Sequence, residues 1–135
     1  MEILSEDPFL LVDGAHNPQG VAALAESLRQ AYPGERFLFV AGILADKDYE
    51  GMLEIMIPLA RRFYTVTVES SRSLQGQAVA EYLKGKGQDA VYIGDLADCL
   101  RTVLAEGKQT GKRIVAFGSL YFIGSLEALW RAGAS

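Results

Sequence analysis

The chain has 135 residues, a formal net charge of -4, one cysteine and one histidine; half of it is apolar and 22% is charged. That is the composition of one ordinary globular domain with a core of its own. It excludes an internal disulfide, a transition-metal site of the usual His/Cys kind, a membrane span and, with no basic block longer than Arg61-Arg62, a nucleic-acid partner.

Apolar runs and helical patterns alternate along the chain. Residues 1–4 allow a strand, and Ser5-Glu6-Asp7-Pro8 reads as a turn into Phe9-Leu10-Leu11-Val12, so the two runs predict an antiparallel hairpin. A helix is expected from Pro18 to about Tyr32, with Val21, Leu24 and Leu28 on one face, stopped by Pro33-Gly34. RFLFVAGI, residues 36–43, is the strongest strand, and a helix from about Tyr49 ends at Pro58. FYTVTV, residues 63–68, alternates as a strand does. A helix over 75–84, a short strand over 90–93, a helix over 96–106, a strand over 113–117 and a helix over 120–131 complete the series. The stripe Leu96, Cys99, Leu100, Val103, Leu104 makes Cys99 a small core residue.

Continuous apolar strands separated by helices predict an α/β fold: a Rossmann-like three-layer sandwich of about six strands, mostly parallel, with one antiparallel edge strand and helices on both faces. No linker or repeat divides it, so residues 1–135 read as a single domain.

Ligands in such sheets bind where the strands' carboxyl ends meet the following helices. Three places there carry candidate residues. In VDGAHNP, residues 12–18, Gly14 permits a sharp turn, Asn17 caps the next helix and Pro18 opens it. The turn itself does not call for Asp13 or His16. A carboxylate suits ribose hydroxyls or a metal-bound water, and a histidine suits a phosphate or carboxylate; a capped turn with satisfied polar groups is the simpler alternative. Gly118-Ser119-Leu120 repeats the design, with Ser119 either a helix cap or a ligand contact. Asp46-Lys47-Asp48 and Ser70-Ser71-Arg72 put charge at two more strand ends; Arg72 suits a bidentate grip on a carboxylate and Lys47 a point-charge contact, and a solvated loop is the alternative for both. LKGKGQD, residues 83–89, lacks the leading glycine and the following Ser or Thr of a phosphate-binding P-loop.

In this order and spacing, LLVDGAHNPQGVAAL, VAGILADKDYEGML, SSRSL and AFGSLYFIGSL resemble the C-terminal domain of the folylpolyglutamate synthase/dihydrofolate synthase family, a branch of the Mur ligase superfamily. The resemblance covers essentially the whole chain. It implies a Rossmann-like domain with five parallel strands and one antiparallel strand, from a cytoplasmic enzyme of folate biosynthesis. The implied reaction adds L-glutamate to folate or dihydropteroate, using ATP and Mg²⁺ held mainly by an N-terminal P-loop ATPase domain that this sequence does not contain. Carried over by position, Asp13 would contact ATP, and His16 would be the catalytic residue beside phosphates and glutamate. Ser119 and Arg72 would belong with His16 to the glutamate pocket, although Ser71 stands where the family has proline before the arginine. Asp46, Lys47 and Asp48 would lie on the interdomain face. By itself the domain is then expected to be inactive. Another Mur-type amino-acid ligase, or a stand-alone binding module, would share much of the pattern.

Overall fold

In the computed structural model, which describes residues 1–68 and 74–133, six strands form one sheet in the order β1-β2-β6-β3-β4-β5. The elements run β1 (Glu2–Glu6), β2 (Phe9–Val12), α1 (Pro18–Ala31), β3 (Phe37–Ala41), α2 (Tyr49–Met56), β4 (Ala60–Thr65), α3 (Gly76–Gly85), β5 (Ala90–Tyr92), α4 (Leu96–Thr110), β6 (Ile114–Phe117) and α5 (Leu120–Arg131). Only the β1–β2 pair is antiparallel; all others are parallel. The three-layer expectation is met, hairpin included.

The strands read as continuous apolar runs because both faces of the sheet are covered. On one face Leu11, Phe37, Phe39, Phe63, Val115 and Phe117 pack against Leu24 and Leu28 of α1, Met52 and Leu53 of α2, and Val79 and Leu83 of α3. On the other, Leu10, Val12, Leu38, Val40, Tyr64 and Ile114 pack against Cys99 and Val103 of α4 and Phe122 and Leu126 of α5. Successive strand residues therefore alternate between two cores, as the period of a strand requires. Cys99 is fully buried, and that burial pushes its thiol up to about 12, so it is a core residue as expected.

Element ends depart from the sequence reading where charge or glycine obscured the pattern. β1 runs on to Glu6, with an irregularity between Ile3 and Ser5, and the connection narrows to Asp7-Pro8. β4 starts at Ala60, straight after a short 3-10 turn at Ile57–Leu59, and not at Phe63. Its early residues include Arg62, whose guanidinium reaches Asp89 at 2.9 Å and Glu106 at 2.9 Å. Glu106 also accepts from the Tyr64 hydroxyl. The strand ends at Thr65 because Ala41 and Tyr92, its last partners, end β3 and β5. α4 continues past Glu106 to Thr110, where Gly111 adopts the left-handed cap conformation at φ 73. Gly107 sits inside that helix because a Cβ there would lie 2.8 Å from Ile114 Cδ1.

Candidate functional site

Three loops meet at the carboxyl ends of β2, β6 and β3, the central strands of the sheet. Backbone hydrogen bonds join them: Asp13 N–H to Ala116 O at 3.0 Å, Gly118 N–H to Ala15 O at 2.9 Å, and Gly42 N–H to Phe117 O at 3.2 Å. Gly118 has φ 126, and a Cβ on it would stand 2.5 Å from the Gly42 carbonyl oxygen. Glycine is needed there for both conformation and space.

Within the first loop, Asn17 Oδ1 accepts from Gly20 N–H at 2.8 Å and Pro18 opens α1, as expected. The expectation that the turn has no use for Asp13 and His16 is corrected. Asp13 Oδ1 accepts from Ala15 N–H at 2.8 Å, and His16 Nδ1 lies 3.0 Å from the Gly14 carbonyl. A carbonyl only accepts, so Nδ1 carries the hydrogen, and in the neutral ring Nε2 keeps its lone pair.

Ser119 caps α5: its Oγ accepts from Tyr121 N–H at 3.0 Å and from Phe122 N–H at 3.4 Å. Its side chain is only 1% exposed. With the lone pairs engaged, its O–H remains as a donor. Asp48 caps α2, Oδ1 accepting from Gly51 N–H at 2.9 Å. Asp46 is exposed beside it.

A pocket of about 170 Å³ opens between these loops, lined by His16, Leu44, Lys47, Ser119, Leu120 and Tyr121. The structure thus brings His16 and Ser119 together and adds Lys47, which the sequence offered as a point-charge contact on a separate loop and the resemblance placed on the interdomain face. Asp13 lies in the same turn but does not line the pocket. Arg72 falls outside the described residues. Sequence reasoning missed Leu44, Leu120 and Tyr121. Leu120 and Tyr121 are 67% and 58% exposed, and two large apolar residues on the first turn of a helix, directly after its cap, were the available signal.

The pocket is small, walled by apolar side chains, and carries at its edge one imidazole, one hydroxyl donor and one ammonium. Among the described residues no carboxylate pairs with Lys47. Such a set suits a small zwitterion or dicarboxylate better than a large aromatic ligand.

Residues 1–120 match the family described as Mur ligase, glutamate ligase domain. The folylpolyglutamate synthase of Lacticaseibacillus casei is 31% identical over 137 residues, covering 100% of this chain and 30% of that protein. A structure of the bifunctional folylpolyglutamate synthase/dihydrofolate synthase of Yersinia pestis, complexed with AMPPNP and Mn, superposes with a TM-score of 0.85 at 25% identity, over 96% of this chain and 30% of that one. A further structure of a bifunctional synthase of that name, with Mn, AMPPNP and L-glutamate bound, gives 0.81 at 25% identity, again over 96% of this chain and 30% of that one. The chain spans less than a third of the length of these relatives. Its family model, its sheet and its spacing of DGAHNP, DKD and GSL agree: the chain belongs to the Mur ligase, glutamate ligase domain family.

Proposed function

We propose that the chain is the glutamate-binding domain of an ATP-dependent amide ligase that extends folate or dihydropteroate with L-glutamate. The observation that carries this reading is the convergence of His16, Lys47 and Ser119 on one amino-acid-sized pocket at the carboxyl ends of β2, β3 and β6. It is supported by relatives named folylpolyglutamate synthase, one of them a structure with L-glutamate bound.

The reaction joins a carboxylate to an amine, with an acyl phosphate between: the acid takes a phosphoryl group, the amine attacks the carbonyl carbon, and phosphate leaves. ATP, with Mg²⁺, would supply the phosphoryl group. The residues here fit only part of that cofactor. Asp13 suits ribose hydroxyls and His16 a phosphate oxygen, but among the described residues no three carboxylate, histidine or cysteine side chains assemble as metal ligands. The triphosphate and its metal therefore belong to a second domain, the proposed N-terminal P-loop ATPase domain, joined in cis and docked over Asp46, Lys47 and Asp48.

What this chain does is hold the amine. The Lys47 ammonium is a point charge for one carboxylate of glutamate, and the Ser119 hydroxyl donates to a carboxylate oxygen at the pocket floor. With Nδ1 bound to Gly14, His16 turns an accepting Nε2 toward a glutamate ammonium, which must lose a proton before it can attack. Fixing the amine in line with the activated carbonyl is the main contribution such a domain makes. By the family resemblance, Arg72 is a further contact for glutamate, and the enzyme works in the cytoplasm.

The test is made in the full polypeptide that the gene encodes, following glutamate-dependent phosphate release with a folate acceptor. His16→Ala is expected to lower kcat/KM for glutamate by about a hundredfold or more, with unfolding transitions unchanged; Asp13→Ala raises KM for ATP. Full activity in both variants would overturn the assignment.

A further inference from the structure

One peptide unit joins the two polar side chains of the turn between β2 and α1. Ala15 N–H, which donates to Asp13 Oδ1 at 2.8 Å, and the Gly14 carbonyl, which accepts from His16 Nδ1 at 3.0 Å, are the two ends of the same Gly14–Ala15 peptide. A peptide is planar, and its N–H and C=O point in opposite directions, so fixing one end aims the other. Carboxylate, peptide and imidazole form a chain of hydrogen bonds in which each link polarises the next. A negative charge on the N–H makes the C=O a better acceptor.

The orientation of the ring depends on this chain. Among the described residues no other hydrogen bond or ion pair holds the His16 side chain, although the ring borders the pocket. Where the Gly14 carbonyl faces, the ring follows. That carbonyl belongs to a residue without Cβ, so Gly14 itself offers little steric resistance to a flip of the peptide. Three contacts oppose the flip. Asp13 Oδ1 holds the N–H end; Gly118 N–H holds the Ala15 carbonyl, one peptide further on, at 2.9 Å. Leu120 of α5 packs on Gly14 so closely that a Cβ there would stand 2.4 Å from its Cδ2. Of the three, only Asp13 grips the polar atoms of the Gly14–Ala15 peptide.

We propose that Asp13 is a positioning residue for His16: through the Gly14–Ala15 peptide its carboxylate keeps the ring hydrogen on Nδ1 and leaves Nε2 as the accepting nitrogen of the pocket. The role uses Oδ1 alone and does not depend on a contact between Asp13 and ATP. It rests on the reading of His16 as the group that meets the glutamate ammonium, for which Nε2 must be the acceptor.

His16 is the only histidine of the chain, so its two ring nitrogens are read without overlap in imidazole proton–nitrogen correlation spectra of the labelled 135-residue protein. Recorded on the alkaline side of the ring's own titration, these spectra give the ratio of Nδ1–H to Nε2–H tautomers. The parent chain is expected to hold the Nδ1–H form. Asp13→Ala should lower the ratio about fivefold, the value of one hydrogen bond. Asp13→Asn keeps an oxygen for Ala15 N–H and loses only the charge, so it should fall about twofold. Asn17→Ala is the control: it removes the α1 cap from the same turn but leaves the Asp13–peptide–His16 chain intact, and its ratio should match the parent. A parent chain in the Nε2–H form, an Asp13→Ala ratio equal to the parent's, an Asp13→Asn ratio as low as that of Asp13→Ala, or an Asn17→Ala ratio as low as that of Asp13→Ala would each overturn the proposal. No substrate enters the measurement, so an unmoved tautomer leaves the glutamate reading standing, and that reading is decided separately by the turnover of His16→Ala.

Discussion

Replacing Gly118 with alanine tests the junction on which the candidate site rests. At φ 126 the residue lies where side-chain-bearing residues are strained, and a methyl group would stand 2.5 Å from the Gly42 carbonyl oxygen and 2.9 Å from Ile43 Cγ1. The backbone conformation costs about 1–3 kcal/mol. The contact with a main-chain atom, which has no rotamer to yield, adds about 1–3 kcal/mol. Together they predict a loss of roughly 2–6 kcal/mol. Gly34 supplies the control, with φ 77 and nothing within 4 Å of the place a methyl group would take; Gly34→Ala should cost only about 1 kcal/mol, the conformational part alone. Urea unfolding followed by far-ultraviolet circular dichroism gives both values, and the Gly118→Ala midpoint in a thermal scan should fall by about 10 °C or more. A Gly118→Ala chain no less stable than Gly34→Ala would refute the close approach of the β3 and β6 loops.

Further predictions concern the frame around the site. Arg62→Met leaves Asp89 without its closest cation and Glu106, 15% exposed, with the Tyr64 hydroxyl alone; a loss of about 1–2 kcal/mol in denaturant unfolding is expected, and no loss would show the network to be idle. Cys99 stays a neutral thiol at any pH the fold survives, so reaction with Ellman's reagent should proceed only as fast as the chain opens; rapid native labelling contradicts its burial. The carboxyl of Glu127 is raised above the usual range, first by its hydrogen bond with Glu2 and then by burial and the Glu2 charge, while Arg131 opposes the shift. A raised folded-state value means stabilisation that is present in acid and lost as pH rises through that value. Glu127→Gln should therefore gain a few tenths of a kcal/mol at neutral pH and nothing in acid; an equal effect at both ends removes the Glu2–Glu127 pair as its cause.

Much of this protein is written in its one-dimensional pattern. Strand residues apolar without interruption, separated by stripes such as Val21, Leu24 and Leu28, leave a sheet covered on both faces as the only economical solution, because each face must be buried by a crossover helix. Asn17, Pro18 and Ser119 announce their caps locally, since capping involves residues two to four apart. The tertiary structure decided what depends on distant partners. Arg62 could enter a strand only because Asp89 and Glu106, 27 and 44 residues away, receive it. Gly76 N–H, which Gln75 does not cap, is taken by Thr67 Oγ1 from the preceding loop. Lys47 became part of the His16–Ser119 pocket because the strand order sets β6 between β2 and β3, a neighbourhood no local pattern encodes. Residue types fixed which chemistry was available; the order of the strands chose which of those residues share a pocket.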